Sequence, residues 1–69
     1  MKNTIRVLRA EKRLSQAELA ELVGVSRNSI NSVENGKFDP SLPLAFRIAH
    51  VFVRTVEDIF DQSEVIEGM

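Results

Sequence analysis

Residues 15–36 read SQAELAELVGVSRNSINSVENG, a pattern that predicts two short helices joined by a tight turn. Ser15 followed three residues later by Glu18 is a capping box, which satisfies the free N–H groups at a helix start. We expect Gly24 to end this helix, because a tight turn commonly needs a residue that tolerates positive φ. The apolar stripe of the helix, at three- and four-residue spacing, consists of Leu19, Leu22 and Val23.

The second of these helices carries the more informative surface. Ser26 caps it, and its apolar residues are Ile30 and Val33, three apart on one face. Arg27, Asn28, Asn31 and Ser32 lie around the rest of the helix. Arg and Asn pair in bidentate fashion with guanine and adenine edges in the major groove, which admits one α-helix. A short polar helix face is also common on ordinary solvated surfaces, so the spacing alone leaves both interpretations open.

The stretch SQAELAELVGVSRNSINSVENGK resembles the helix-turn-helix of the Cro and phage-repressor family. The likeness continues through IRVLRAEKRLSQ upstream and through DPSLPLAFRIAHVF and VEDIF downstream, about residues 3–60 in all. It implies an all-α, five-helix, lambda-repressor-like DNA-binding domain over residues 1–60, with the helix-turn-helix formed by helices 2 and 3. The operator sequence and the regulated gene stay open.

The resemblance also assigns roles to individual residues. Side chains that match base-contacting positions are Arg27, Asn28 and Ser32, with Asn31 added as a neighbour that could equally reach a sugar or phosphate. Side chains expected to contact the DNA backbone are Gln16, Ser26, Ser29, Asn35 and Lys37. Arg9 and Glu34 match a pair that forms a structural salt bridge between helix 1 and the end of helix 3.

The flanking helices follow from caps and apolar spacing. Helix 1 is expected to start at Asn3 or Thr4 and to end near Lys12 or Arg13. Related sequences often have Gly where this one has Arg13, and Gly or Asn near Val53, so we expect these two helix ends to be shaped differently here. Helix 4 begins after Ser41, and helix 5, VEDIF, begins after Thr55. The predicted buried stripe of helix 4 is Leu42, Ala45, Ile48, Ala49 and Phe52.

Charge divides the chain into a basic body and an acidic tail. The net charge of −1 combines +4 over residues 1–54, which hold all nine Lys and Arg, with −5 over residues 55–69. The tail either points away from the phosphates or lowers non-specific affinity by repulsion. Residues 61–69 have no clear period, so a frayed terminus and a short strand that pairs with the N-terminal residues or with a second subunit are both open.

Several functional classes are not expected. The chain has no cysteine, and one histidine alone cannot build a zinc site, so we expect no metal and no cofactor. No apolar run approaches the roughly 20 residues that span a bilayer, and the N-terminus lacks a signal-peptide core, which predicts a cytoplasmic protein. An enzyme is not expected, because no set of nucleophile, base and orienting group can be found.

The sequence thus predicts a sequence-specific DNA-binding transcriptional regulator. We expect a homodimer on an approximately palindromic operator, with repression the commoner outcome and dimer contacts at Val51, Val56, Phe60 and Ile66. The alternative is an antitoxin or adaptor whose main surface binds a partner protein, with the acidic tail as the contact to a basic partner.

Overall fold

The structure, a computed structural model, describes residues 1–69 and contains six helices and no strand. The helices are α1 (Ile5–Lys12), α2 (Gln16–Val23), α3 (Arg27–Glu34), α4 (Leu42–Phe52), α5 (Val56–Ile59) and α6 (Ser63–Glu67). The predicted all-α class, with a helix-turn-helix at α2 and α3, is confirmed. The sixth helix was not predicted. None of the helices has the length and apolar character needed to cross a membrane.

Local side-chain chemistry sets the ends of α2 and α3. Ser15 Oγ accepts the Glu18 N–H at 3.0 Å, and the Glu18 carboxylate accepts the Ser15 N–H at 2.9 Å, so the predicted capping box is present. Two hydrogen bonds with Ser15 lower the pKa of Glu18, and the one with the Ser15 backbone has a larger effect than the one with its side chain. Gly24 has φ +77 in the turn, and Ser26 caps α3 by accepting the Ser29 N–H. The two helices are therefore separated by a short turn, whose conformation is set by Gly24 and by the cap at Ser26.

The core consists only of apolar side chains, drawn from α1 to α5 and from the residue that follows α5. No polar or charged residue is buried as a whole, although the side chain of Glu34 is only 1% exposed. The fourteen members are Ile5, Leu8, Leu19, Ala20, Val23, Ile30, Val33, Leu44, Ala45, Ile48, Ala49, Phe52, Ile59 and Phe60. α6 contributes no buried residue, so Phe60, directly after α5, is the last buried residue of the core.

Two parts of the predicted apolar stripes are wrong. In α4, Leu44 is buried whereas Leu42 is 64% exposed, the reverse of the prediction. Leu42 and Leu44 both lie at helical spacing from Ile48 or Ala49, so spacing alone does not tell which of the two is buried. The rotation of α4 against the other helices decides it. In α2, Leu22 is 60% exposed and Ala20 takes its place in the core. A small side chain at this position lets α2 and its neighbours approach closely.

The ends of α1 and α4 adopt the left-handed conformation without glycine. Arg13 has φ +56 and Val53 has φ +54, and both helices close with the backbone hydrogen bonds that usually accompany a C-terminal glycine. The expectation that these ends would be shaped differently is therefore wrong. A β-branched residue such as Val53 rarely occupies this region, which costs on the order of 1 kcal/mol. The hydrogen bonds and the packing of the following residues hold it there.

The two termini of the chain meet beside α5. The Thr4 N–H donates to the Ile59 carbonyl at 3.0 Å, and the Asp61 N–H donates to the Lys2 carbonyl at 2.8 Å. Strand pairing of the termini is limited to the single antiparallel bridge between Asn3 and Phe60. Residues 63–67 form the helix α6 instead of a longer strand, because their backbone groups bond within the segment.

The residues expected at a dimer interface differ in availability. Phe60 is 4% exposed and belongs to the core, so the prediction that it forms an intersubunit contact is corrected: the pairing of the termini turns its side chain inward. Val51 and Val56 are half-buried against the same core. Ile66 is 55% exposed on α6.

Candidate DNA-binding surface

The start of α3 presents two side chains that have no partner within the chain. Ile30 and Val33, 0% and 1% exposed, anchor the helix to the core and leave its opposite face in solvent. Arg27 and Asn28 lie in the first turn of that face, are exposed, and make no side-chain hydrogen bond or ion pair. All of their donors and acceptors are therefore free to meet a ligand.

The serines of α3 are placed differently from one another. Ser26 Oγ accepts the Ser29 N–H at 3.1 Å and lies 3.0 Å from Ser29 Oγ, so both hydroxyls take part in capping the helix. Ser32 is half-buried, its hydroxyl has no hydrogen-bond partner, and its carbonyl accepts the Lys37 N–H at 3.0 Å. Only Ser32 among these three therefore keeps an uncommitted hydroxyl.

Asn31 is committed to its neighbours. Its Oδ1 accepts from Gln16 Nε2 at 3.2 Å and from Asn35 Nδ2 at 3.3 Å. A bidentate contact with adenine requires this oxygen to accept from the base while Nδ2 donates to it. With both acceptor positions filled, Asn31 in this conformation links the first residue of α2 to the end of α3, and cannot also read adenine in that way. The base-contacting role predicted for Asn31 is therefore one that this geometry disfavours.

Arg9 and Glu34 join α1 to the end of α3. Arg9 Nε donates to Glu34 Oε2 and Arg9 Nη2 donates to Glu34 Oε1, both at 3.0 Å, which is the bidentate form of an Arg–carboxylate pair. The Glu34 side chain is 1% exposed and that of Arg9 is 15% exposed. Arg9 Nη1 also donates to the Leu14 carbonyl at 2.9 Å, and Gln16 Nε2 donates to Glu34 Oε2 at 3.2 Å. The pair thus fixes three elements against each other.

We call the connected set Arg9, Gln16, Asn31, Glu34 and Asn35 the polar hub. Its hydrogen bonds run from α1 through the start of α2 to the end of α3. The hub brings together two of the predicted backbone-contacting residues, Gln16 and Asn35, that are far apart in sequence. Lys37 lies just beyond, exposed and free of ion pairs, after Gly36 has turned the chain at φ +75.

Arg6 is a neighbour of the hub that the sequence did not point to. Its Nη2 donates to Asn35 Oδ1 at 3.5 Å, and its Nε lies 3.7 Å from Glu34 Oε1. The only available signal was its position three residues before Arg9, which places both arginines on neighbouring parts of the same helix face. That spacing predicts proximity and says nothing about a ligand.

Comparison with known proteins identifies the family. A family model for the Cro/C1-type helix-turn-helix matches residues 5–59, most of the chain. The chain belongs to this helix-turn-helix family. The matched range begins with α1 and ends with α5, and so leaves out α6. The protein is accordingly a transcriptional regulator with a helix-turn-helix DNA-binding domain.

Individual relatives agree with the family assignment. An uncharacterized HTH-type transcriptional regulator of Methanocaldococcus jannaschii is 52% identical over 60 residues, which is 87% of this chain and 91% of that protein. A second one, from Archaeoglobus fulgidus, is 46% identical over 69 residues and 97% of each chain. Among solved structures, the restriction-modification controller protein C.AhdI from Aeromonas hydrophila superposes with a TM-score of 0.74 at 34% identity, covering 81% of this chain and 85% of that one.

Proposed function

We propose that this helix-turn-helix regulator reads a specific DNA sequence with the first turn of α3 and represses transcription as a homodimer on an approximately palindromic operator. The observation that carries the proposal is the pair of exposed, unpartnered side chains Arg27 and Asn28 on a helix whose other end is held by the polar hub. Arg suits guanine and Asn suits adenine in the major groove. Such a role places the protein with the DNA in the cytoplasm.

The proposed docking geometry follows from the helix ends. When the N-terminal turn of α3 enters the groove, Arg27 and Asn28 approach the base edges first. The free backbone N–H groups at the start of α2, that of Gln16 among them, meet a phosphate. The Gln16 side-chain amide donates to Asn31 and Glu34 and so holds this terminus against α3. Asn35 and Lys37, after the end of α3, meet the backbone on the other side. Phosphate contacts of this kind set the register of the helix on the duplex.

The three serines take lesser parts in this proposal. Ser32 has a free hydroxyl one turn beyond Asn28, within the helix face that follows the groove, and serves as a further base contact. Ser26 is exposed and Ser29 is half-buried; both take part in capping α3, and their hydroxyls serve as backbone contacts at the groove edge. Asn31 acts by holding Gln16 and Asn35 in place.

A homodimer supplies the two-fold symmetry of the operator in this proposal. A chain of 69 residues buries only about 60% of its unfolded surface, so association adds stability that a monomer lacks. Val65 and Ile66 of α6 are 53% and 55% exposed and are not part of the buried core, which favours a contact with a second subunit. The half-buried Val51 and Val56 are the other predicted contributors to that contact. Ultracentrifugation that finds only monomer at high micromolar concentration would overturn the dimer.

Selection of binding sites from random duplexes tests the proposal as a whole. The expected result is a convergent, two-fold symmetric motif whose half-site centres lie about 34–36 Å apart, one turn of DNA. Placing the selected motif in a promoter should then lower reporter expression when the protein is present. If no motif is enriched and the weak binding disappears with added salt, sequence-specific regulation is ruled out. Copurification of a small basic protein would in that case favour the antitoxin or adaptor alternative.

A further inference from the structure

We propose that Arg6 of α1 is a phosphate-binding residue, which extends the DNA backbone contact from the helix-turn-helix onto the first helix. The ligand is the same phosphodiester group of the duplex that Asn35 meets. The inference rests on the proposed DNA binding and adds to it a contact on an element outside α2 and α3.

The position of Arg6 supports this role. Its side chain is 73% exposed, yet its guanidinium lies against the polar hub, with Nη2 donating to Asn35 Oδ1 at 3.5 Å. Asn35 follows the last residue of α3, where the proposed docking puts the DNA backbone. A phosphate oxygen that reaches the Asn35 side chain therefore comes within reach of the Arg6 guanidinium as well.

The charge of Arg6 is only partly neutralised within the chain. Its closest carboxylate is Glu34, at a long 3.7 Å from Nε, and Glu34 is already occupied. Glu34 Oε1 accepts from Arg9 Nη2 at 3.0 Å, and Glu34 Oε2 accepts from Arg9 Nε at 3.0 Å and from Gln16 Nε2 at 3.2 Å. Two arginines thus share one carboxylate that Arg9 takes in bidentate form. An exposed positive charge is left over beside Asn35.

Hydrogen bonds also hold Arg6 in line with the other proposed phosphate contacts. The order is Arg6 to Asn35, Asn35 to Asn31, and Gln16 to Asn31, which connects α1 with the start of α2. A guanidinium offers five donors in a planar fork that fits phosphate oxygens two at a time. Arg6 Nη2 donates to Asn35 and its Nε faces Glu34 at 3.7 Å, which leaves the remaining N–H groups for a ligand. A phosphate can therefore bind to Arg6 without any rearrangement of the polar hub.

The test compares Arg6→Ala with Arg54→Ala in the full chain. Arg54 is an exposed arginine that follows the C-terminal end of α4 and lies beside Thr4, Val7 and Leu8, on a different face of α1 from Arg6. Its removal changes the net charge by the same amount. Both variants are titrated with the selected operator and with a random duplex at four salt concentrations, and urea unfolding checks their stability.

Arg6→Ala is expected to weaken binding to both duplexes alike, about fivefold to tenfold near 0.1 M salt, and to reduce the slope of log K against log salt by about one unit. Arg54→Ala should leave the slope within error of the wild type. Arg6→Lys, which keeps the charge, should restore the slope. The urea midpoint should stay unchanged in all three variants.

Three results of the DNA titrations would overturn the role of Arg6. They are an unchanged slope in Arg6→Ala, a loss confined to the operator, or equal losses in Arg6→Ala and Arg54→Ala. A lowered urea midpoint in Arg6→Ala, with binding restored once the folded fraction is corrected for, would make Arg6 a structural residue and would also overturn the proposal. Failure of the wild-type protein to bind either duplex is a separate outcome, which refutes the proposed function itself.

Discussion

The polar side chains at the two ends of α3 differ in whether they are hydrogen-bonded within the chain. At its start, Arg27 and Asn28 are exposed and make no side-chain hydrogen bond. At its end, Glu34 is 1% exposed and holds hydrogen bonds from Arg9 and Gln16, while Asn35 is bonded to Asn31. One helix of eight residues thus has free polar groups at one terminus and committed polar groups at the other.

The difference follows from what each end has to do in the proposed complex. Side chains that read bases need unpaired donors and acceptors, since any internal partner must be broken before a base can replace it. Side chains that orient the helix gain from being held in place beforehand, because less conformational entropy is lost on binding. Phosphate contacts carry no sequence information, so their residues can be built into a fixed network.

The largest expected effect is on stability and concerns Arg9, which is paired with Glu34 at the C-terminal end of α3. Arg9→Ala should lower the free energy of unfolding by about 3 kcal/mol, because it leaves the Glu34 carboxylate buried without its main partner. Urea denaturation measures the change, and Arg27→Ala serves as the control that should leave the unfolding free energy nearly unaltered. A loss below about 0.5 kcal/mol in Arg9→Ala would place this pair among ion pairs of negligible net value.

The next largest effect is on DNA binding and concerns Arg27, at the N-terminal end of α3, where the side chain has no partner within the chain. Arg27→Ala should cost about 1–3 kcal/mol on the selected operator and should relax the preference for one base pair. The reason is the loss of a bidentate contact with a base edge. Titrations with the operator, with its single-base variants and with a random duplex measure the change. Equal losses on operator and random DNA would show that Arg27 contacts the backbone instead of a base.

A smaller effect should separate Asn31 from Asn28. Asn31→Ala and Gln16→Ala are expected to be coupled by about 1 kcal/mol in a double-mutant cycle on binding, because each removes the same hydrogen bond. Asn28→Ala and Gln16→Ala should be additive, since no hydrogen bond joins them. If Asn31→Ala instead altered base preference without coupling to Gln16, Asn31 would be a reader that leaves the hub on binding.

The smallest effect concerns Lys37, beyond the C-terminal end of α3. Lys37→Ala should weaken binding to every duplex by a few-fold and lower the salt slope by about one unit, because it removes one phosphate contact. Isothermal titration at several salt concentrations gives both quantities. Lys12→Ala, which removes an exposed lysine from the end of α1, is the matched control. The same slope for both variants would show only a change in net charge.

Much of the fold was predictable because its signals are local. The capping box of Ser15 and Glu18, the turn at Gly24 and the caps at Ser26 and Ser41 all act within a few residues of their own position, and all are present. The left-handed ends at Arg13 and Val53 were not predicted. Intrinsic preference argues against them, and tertiary packing of the following residues overrides that preference.

The candidate surface was predictable in outline and incomplete in detail. Arg27 and Asn28 lie exposed in the first turn of α3, as the pattern of apolar residues indicates. The commitment of Asn31, the proximity of Arg6 to Asn35, and the burial of Phe60 all depend on contacts between segments distant in sequence. No periodicity within one helix carries that information.

Residue types and their spacing therefore determined the helices, their caps and the polar character of α3, because hydrogen bonds at a helix end and the period of an α-helix involve neighbours along the chain. The tertiary structure decided which polar groups remain free. A donor such as that of Gln16 becomes committed only when α2 is packed against α3, and an edge residue such as Leu42 is exposed only because α4 is rotated to bury Leu44. Which surface the protein can offer to a ligand is a property of this packing.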